Sequence, residues 1–107
     1  MCCVGQYILS IDEIKNELYP IFESAPVYRV ILFGSYAKGT PNGNSDIDIV
    51  IDSRGELLNM NFYGVLEDIT TKLGKRVDLF ELSELKNNPS IRAAIEQEGI
   101  ILYERQE

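Results

Sequence analysis

The chain has 107 residues, of which 45% are hydrophobic, 25% charged and 9% aromatic, close to the average for a single soluble globular domain. At this size one core is affordable and a second domain is not, so residues 1–107 are expected to form a single small domain with its core roughly at 8–104. Ten Lys and Arg against 17 Asp and Glu leave a net charge of −7, which argues against direct capture of a nucleic-acid backbone. There is no histidine, which excludes Ser-His-Asp, Cys-His and His-metal chemistry and leaves catalysis to carboxylates, hydroxyls or basic side chains.

Cys2 and Cys3 are adjacent at the N-terminus, where they staple nothing, and Met1 to Gly5 lacks the charged start and apolar stretch of a signal peptide. No apolar run approaches the roughly 18 residues of a membrane span. The expectation is a cytoplasmic protein with no membrane partner.

In chain order, Ser10-Ile11-Asp12-Glu13 reads as a capping box, followed by Ile11, Ile14, Leu18 and Ile21 on one helical face. Pro20 falls inside that pattern and predicts a kink or break near Tyr19. Val27–Phe33 is β-branched and aromatic and predicts a buried strand, and a short polar stretch, Tyr36–Lys38, then starts a helical turn. Ile47–Ile51 predicts a second strand, with Ile47, Ile49 and Ile51 on one face and Asp46, Asp48 and Val50 on the other. Leu57–Leu73 has helical spacing and ends at Gly74, where a left-handed cap belongs. Arg76–Phe80 predicts a third strand; Asn88-Pro89 predicts a cap and first helical residue, with a helix to Glu98, a stop at Gly99 and a last strand Ile100–Tyr103. The order α-β-α-β-α-β-α-β predicts an α/β (α+β) fold, a mixed sheet with flanking helices.

The chemistry concentrates between Leu32 and Asp52. Gly34-Ser35 follows a strand and opens a helical turn, where close backbone approach and a hydroxyl suit phosphate oxygens, although an isolated Gly-Ser is most often an ordinary turn. Asp46 and Asp48 lie two apart, so both carboxylates leave one face of a strand and suit a hard divalent cation; in isolation such a pair is most often a solvated edge. Asp78 lies between apolar neighbours in a probable strand, where a carboxylate is costly to bury unless it is paired or binds a metal, and its blander reading is an edge strand facing water. On neighbouring strands the three would suit two-metal catalysis of a phosphoryl or nucleotidyl displacement.

A Gly34-Ser35 turn, ten intervening residues and then Asp46-Ile47-Asp48 resemble the signature of the DNA-polymerase-beta-like nucleotidyltransferase superfamily. GSYAKG, NSDIDIVI, KRVDLF and IRAAIEQEGIILYE further resemble its minimal nucleotidyltransferase (MNT) domain proteins. The resemblance implies the nucleotidyltransferase fold and an enzyme that moves AMP from ATP to an acceptor with two Mg²⁺ ions, releasing pyrophosphate. It also implies that Gly34 and Ser35 hold the β and γ phosphates, that Asp46 and Asp48 ligate both metals, and that Asp78 completes the metal on the acceptor side. Lys38 is an additional candidate phosphate contact, or a solvated loop lysine, and Ser45 a further candidate beside the carboxylates. Many similar proteins are antitoxins that attach AMP to a tyrosine of a HEPN-domain ribonuclease toxin, which implies such a toxin as partner. The alternatives are an antitoxin acting by binding alone, or a transferase for a small acceptor such as an aminoglycoside. Homo- or hetero-oligomer formation stays open. Tyr36 occupies a position often basic in relatives.

Remaining features read more blandly. Tyr7, Tyr19, Tyr28, Tyr36, Tyr63 and Tyr103 could accept AMP but suit core or rim roles. Lys72, Lys75 and Arg76 complement the end of a helix or meet an acidic partner. Leu57, Leu58 and Met60 suit packing at a helix entry or a contact patch.

Overall fold

The computed structural model describes residues 9–41, 45–57, 60–85 and 87–105. The expectations for Cys2, Cys3, Tyr7, Leu58 and the Met1 to Gly5 segment lie outside these residues. Among the described residues four helices, four strands and a short 3-10 turn follow one another: α1 (Ile11–Ser24), β1 (Arg29–Phe33), α2 (Ser35–Lys38), β2 (Ile47–Asp52), α3 (Met60–Leu73), β3 (Val77–Glu81), the 3-10 turn Leu82–Leu85, α4 (Pro89–Glu98) and β4 (Ile100–Glu104). The expected order is therefore present. The 3-10 turn, which carries no periodic signal of its own, is added to it.

Local chemistry accounts for the element ends. The Ser10 hydroxyl accepts from the Glu13 N–H at 3.0 Å, and the Glu13 carboxylate accepts from the Ser10 N–H at 2.9 Å, closing the capping box. Asn88 caps α4 by accepting from the Ile91 N–H, and Pro89 takes the first helical position. Gly74 has φ +66°, the left-handed conformation expected after α3. The break that was one of the two expectations at Pro20 does not occur: α1 runs through it to Ser24. One main-chain bond is forfeited at Pro20, but Ile14, Leu18 and Phe22 are fully buried on the inner face, and that packing holds both halves of the helix.

The sheet order is β3-β2-β1-β4, with β2 and β3 parallel and the other two pairs antiparallel. The alternation in β2 places Ile47, Ile49 and Ile51 in the main core with Val65, Ile69 and Leu73 of α3 and the inner face of α1. On the opposite face Phe33, Val50 and Leu85 are buried, with Phe80, Ile91 and Ile95 packed against them. Each sheet face is thus covered, α1 and α3 on one side, α4 and the 3-10 turn on the other. A buried carboxylate joins the strand ends. Glu81 accepts from the Ser53 N–H at 3.3 Å, the Ser53 hydroxyl and the Ser83 N–H at 3.1 Å. Among the described residues no helix is long and apolar enough to cross a membrane.

Candidate active site

The site is built where β1 ends and β2 and β3 begin. Register decides it: Phe33 pairs with Asp48 across the antiparallel ladder, and Asp48 pairs with Asp78 across the parallel one. Asp46, two residues before Asp48, shares its face. Asp78 is exposed on an edge strand, as its blander reading expected, and it lies beside Asp48. Exposure also removes the burial cost expected for this residue.

Gly34 follows Phe33 directly and adopts φ +77°, ψ −156°, a conformation closed to ordinary L residues. A Cβ at this position would fall inside the Asp48 carboxylate, with Asp48 Cγ only 3.0 Å away. The glycine thus lets the β1–α2 turn lie directly against the acidic strand. Ser35 opens the four-residue α2, closed by Gly39 in the left-handed conformation.

The electrostatics follow from crowding. Burial is the largest influence on Asp48, followed by the charge of Asp78, a hydrogen bond with Asp78 and the charge of Asp46; together they push its carboxyl up to about 6. Each of these influences opposes ionisation. Among the described residues the acidic side chains do not close round a single point as a finished metal cage would. They form an open acidic edge of hard oxygen donors, a donor set that fits Mg²⁺ chemically.

The other candidates sit apart from this edge or beside it. Lys38 is exposed and approaches Glu98 of α4, Nζ to Oε2 at 3.8 Å, so the solvated reading of a loop lysine is modified by an ion pair. Ser45 is half-buried immediately before Asp46. Tyr36 turns inward: it is 2% exposed within the main core, with burial raising its phenol, so it packs α2 onto the sheet instead of facing a ligand. Tyr103 is likewise buried, whereas Tyr19 and Tyr63 are exposed. Leu57 is core, while Met60 is 86% exposed. Lys72 pairs with Glu17 at 3.5 Å, tying α3 to α1, and Lys75 is buried. The Ser53–Glu81 junction escaped the sequence reading because its partners are 28 residues apart.

A strand-end Gly-Ser turn facing paired carboxylates on a mixed sheet defines a class, the small nucleotidyltransferase domains. Residues 16–107 match the family described as Polymerase beta, Nucleotidyltransferase. The chain belongs to that family. It is 30% identical over 93 residues to MJ0435 of Methanocaldococcus jannaschii, covering 86% of this chain and 97% of that protein. It is 32% identical over 84 residues to the protein adenylyltransferase MntA of Thermococcus cleftensis, covering 75% of this chain and 85% of that one. Among solved structures it resembles a toxin-antitoxin with AMP-PNP at 26% identity and a TM-score of 0.72, covering 86% of this chain and 74% of that one. The fold alone is shared with a chain from the complex of a tri-AMPylated Shewanella oneidensis HEPN toxin with MNT antitoxin, at 20% identity and a TM-score of 0.67 over 90% of this chain and 74% of that one.

Proposed function

We propose that this protein transfers AMP from ATP to a protein acceptor, a tyrosine of a HEPN-type ribonuclease toxin, and so acts as that toxin's antitoxin. The observation that carries the reading is the Asp48–Asp78 register, with Asp46 on the same face and Gly34 against Asp48. The name of the Thermococcus relative, the AMP-PNP in one toxin-antitoxin structure and the AMPylated toxin in another support the choice of nucleotide and acceptor. Residues 1–107 act as one domain in a cytoplasmic setting, where ATP is plentiful.

In this reading Gly34 and Ser35 seat the β and γ phosphates: the glycine brings the main chain close, and the serine adds a hydroxyl. Lys38, released from Glu98, and Ser45 are secondary contacts for the triphosphate. Asp46 and Asp48 hold two Mg²⁺ ions, and Asp78 completes the donor set on the acceptor side. Bound there, the ions supply charge neutralisation at the transferred phosphorus and lower the pKa of the acceptor hydroxyl. Asp78 accepts the hydroxyl proton as the new P–O bond forms and pyrophosphate departs, a role that its exposure beside Asp48 supports. No histidine is required.

Intact-mass spectrometry of the protein expressed from the neighbouring gene tests the reading, after incubation with the chain, Mg²⁺ and ATP. Increments of whole AMP units, absent with Asp46→Asn, are expected. A stable complex of unchanged mass would replace transfer with neutralisation by binding.

A further inference from the structure

The outer edge of β3 is open. Among the described residues β2 is its sole neighbour in the sheet, and a groove of about 480 Å³ runs along all five of its residues. Phe62, Tyr63 and Leu66 of α3 wall one side, and Glu84, Leu85 and Asn88 wall the other. The bond from the Ile47 N–H to the Arg76 carbonyl sets the phase of the parallel ladder. Asp78 and Phe80 therefore direct their main-chain groups at β2, whereas Val77 and Leu79 direct theirs outward. Tyr63 is 66% exposed above the groove and meets Phe62 edge-on, ring centroids 5.7 Å apart.

The groove has a sign as well as a shape. Asp78 and Glu84 are exposed along it, Glu81 lies beneath, and no lysine or arginine is among the described lining residues. Its position is equally specific, because Asp78 belongs both to the groove and to the acidic edge beside Gly34. A chain seated in the groove consequently meets the reactive centre from the acceptor side.

We infer that the acceptor docks as an extended, basic polypeptide segment that adds a fifth strand to the outer edge of β3 and sets its hydroxyl beside Asp78. This rests on the adenylyl-transfer reading above and specifies how that site takes its acceptor. Main-chain bonds to Val77 and Leu79 supply register, the aromatic wall receives an apolar side chain, and Glu84 pairs with a flanking cation. A nucleic-acid acceptor is disfavoured, since its phosphates would face Glu84, with Glu81 beneath, on a chain of net charge −7. A second copy docking edge to edge would oppose the same acidic residues.

The test uses the full chain, ¹⁵N-labelled, and two blocked tyrosine peptides of about eight residues, one with arginines flanking the tyrosine and one with glutamates. The arginine peptide is expected to slow amide exchange at Val77 and Leu79 by about tenfold or more, and the glutamate peptide to leave it unchanged. Glu84→Lys, a change at an exposed rim position, is expected to weaken the arginine peptide by about fivefold. Equal response to both peptides, binding without protection of the two amides, or no binding would each overturn the inference. Mass spectrometry of the same samples with ATP and Mg²⁺ separates the two ideas. Protection without AMP transfer would refute the transfer reading and keep the docking edge; transfer without protection would refute the docking edge alone.

Discussion

Gly34 and Asp48 depend on each other. The glycine must hold φ +77° and must leave the space that the Asp48 carboxylate occupies. Gly34→Ala is therefore expected to lower unfolding stability by about 1–3 kcal/mol, read by urea denaturation, and to abolish AMP transfer. Asp48 adds a pH dependence whose sign is fixed by its raised carboxyl. From the ordinary carboxylate range up to about 6 the folded state binds more protons than the unfolded chain, so this group's contribution to stability falls as pH rises through that window. The metal-free protein with Asp48→Asn is expected to melt about 2–5 °C above the parent at pH 7.5, with the gap narrowing below about pH 6 and closing at about pH 4. An unchanged melting temperature at pH 7.5 would show that the carboxylates are not crowded. Gly34-Ser35 and Asp46-Ile47-Asp48 are candidates that residue type and spacing single out, because each is a local pattern, whereas the nearness of Asp78 to Asp48 comes from strand register. Glu81 was not legible: a buried acid and a surface acid look alike in one dimension, and its Ser53 partner lies just past the end of β2, 28 residues away.

The elements were legible where their ends carry side-chain chemistry. The Ser10 side chain accepts its capping bond at 3.0 Å, and the Asn88 side chain accepts its own at 3.4 Å. Ser10→Ala is expected to cost about 1 kcal/mol in urea denaturation, and more than Asn88→Ala; the reverse order would show that the box contributes little. The uninterrupted α1 shows where local rules give way. Pro20 speaks for a break, but Leu18 and Phe22 on either side are buried in one core, and burial outweighs a single lost main-chain bond. The 3-10 turn Leu82–Leu85 was invisible because four residues are too few for a period. Only Leu85 of the turn is buried, on the sheet face opposite α3, and this is what forms the second wall of the β3 groove.

At the scale of the whole molecule, Asp46, Asp48 and Asp78 share one edge, where the charges of Asp46 and Asp78 both oppose ionisation of Asp48. Mg²⁺ with a nonhydrolysable ATP analogue should therefore raise the melting temperature, by the equivalent of about 2.7 kcal/mol at a hundredfold excess over Kd. Asp46→Asn should shrink that shift in differential scanning fluorimetry, and no shift at saturating ligand would show that the site does not hold the pair. Composition, the lack of histidine, the strand and helix order and the Gly-Ser and Asp-x-Asp spacing were determined by the sequence by itself, since each is a local property of residue type or period. Only the tertiary structure decided that β2 and β3 run parallel with Asp48 beside Asp78, that Tyr36 turns inward, and that the outer edge of β3 lies open between two walls. The physical reason is that register and sheet order arise from which apolar faces bury one another across the core, and that is settled between segments far apart in the chain.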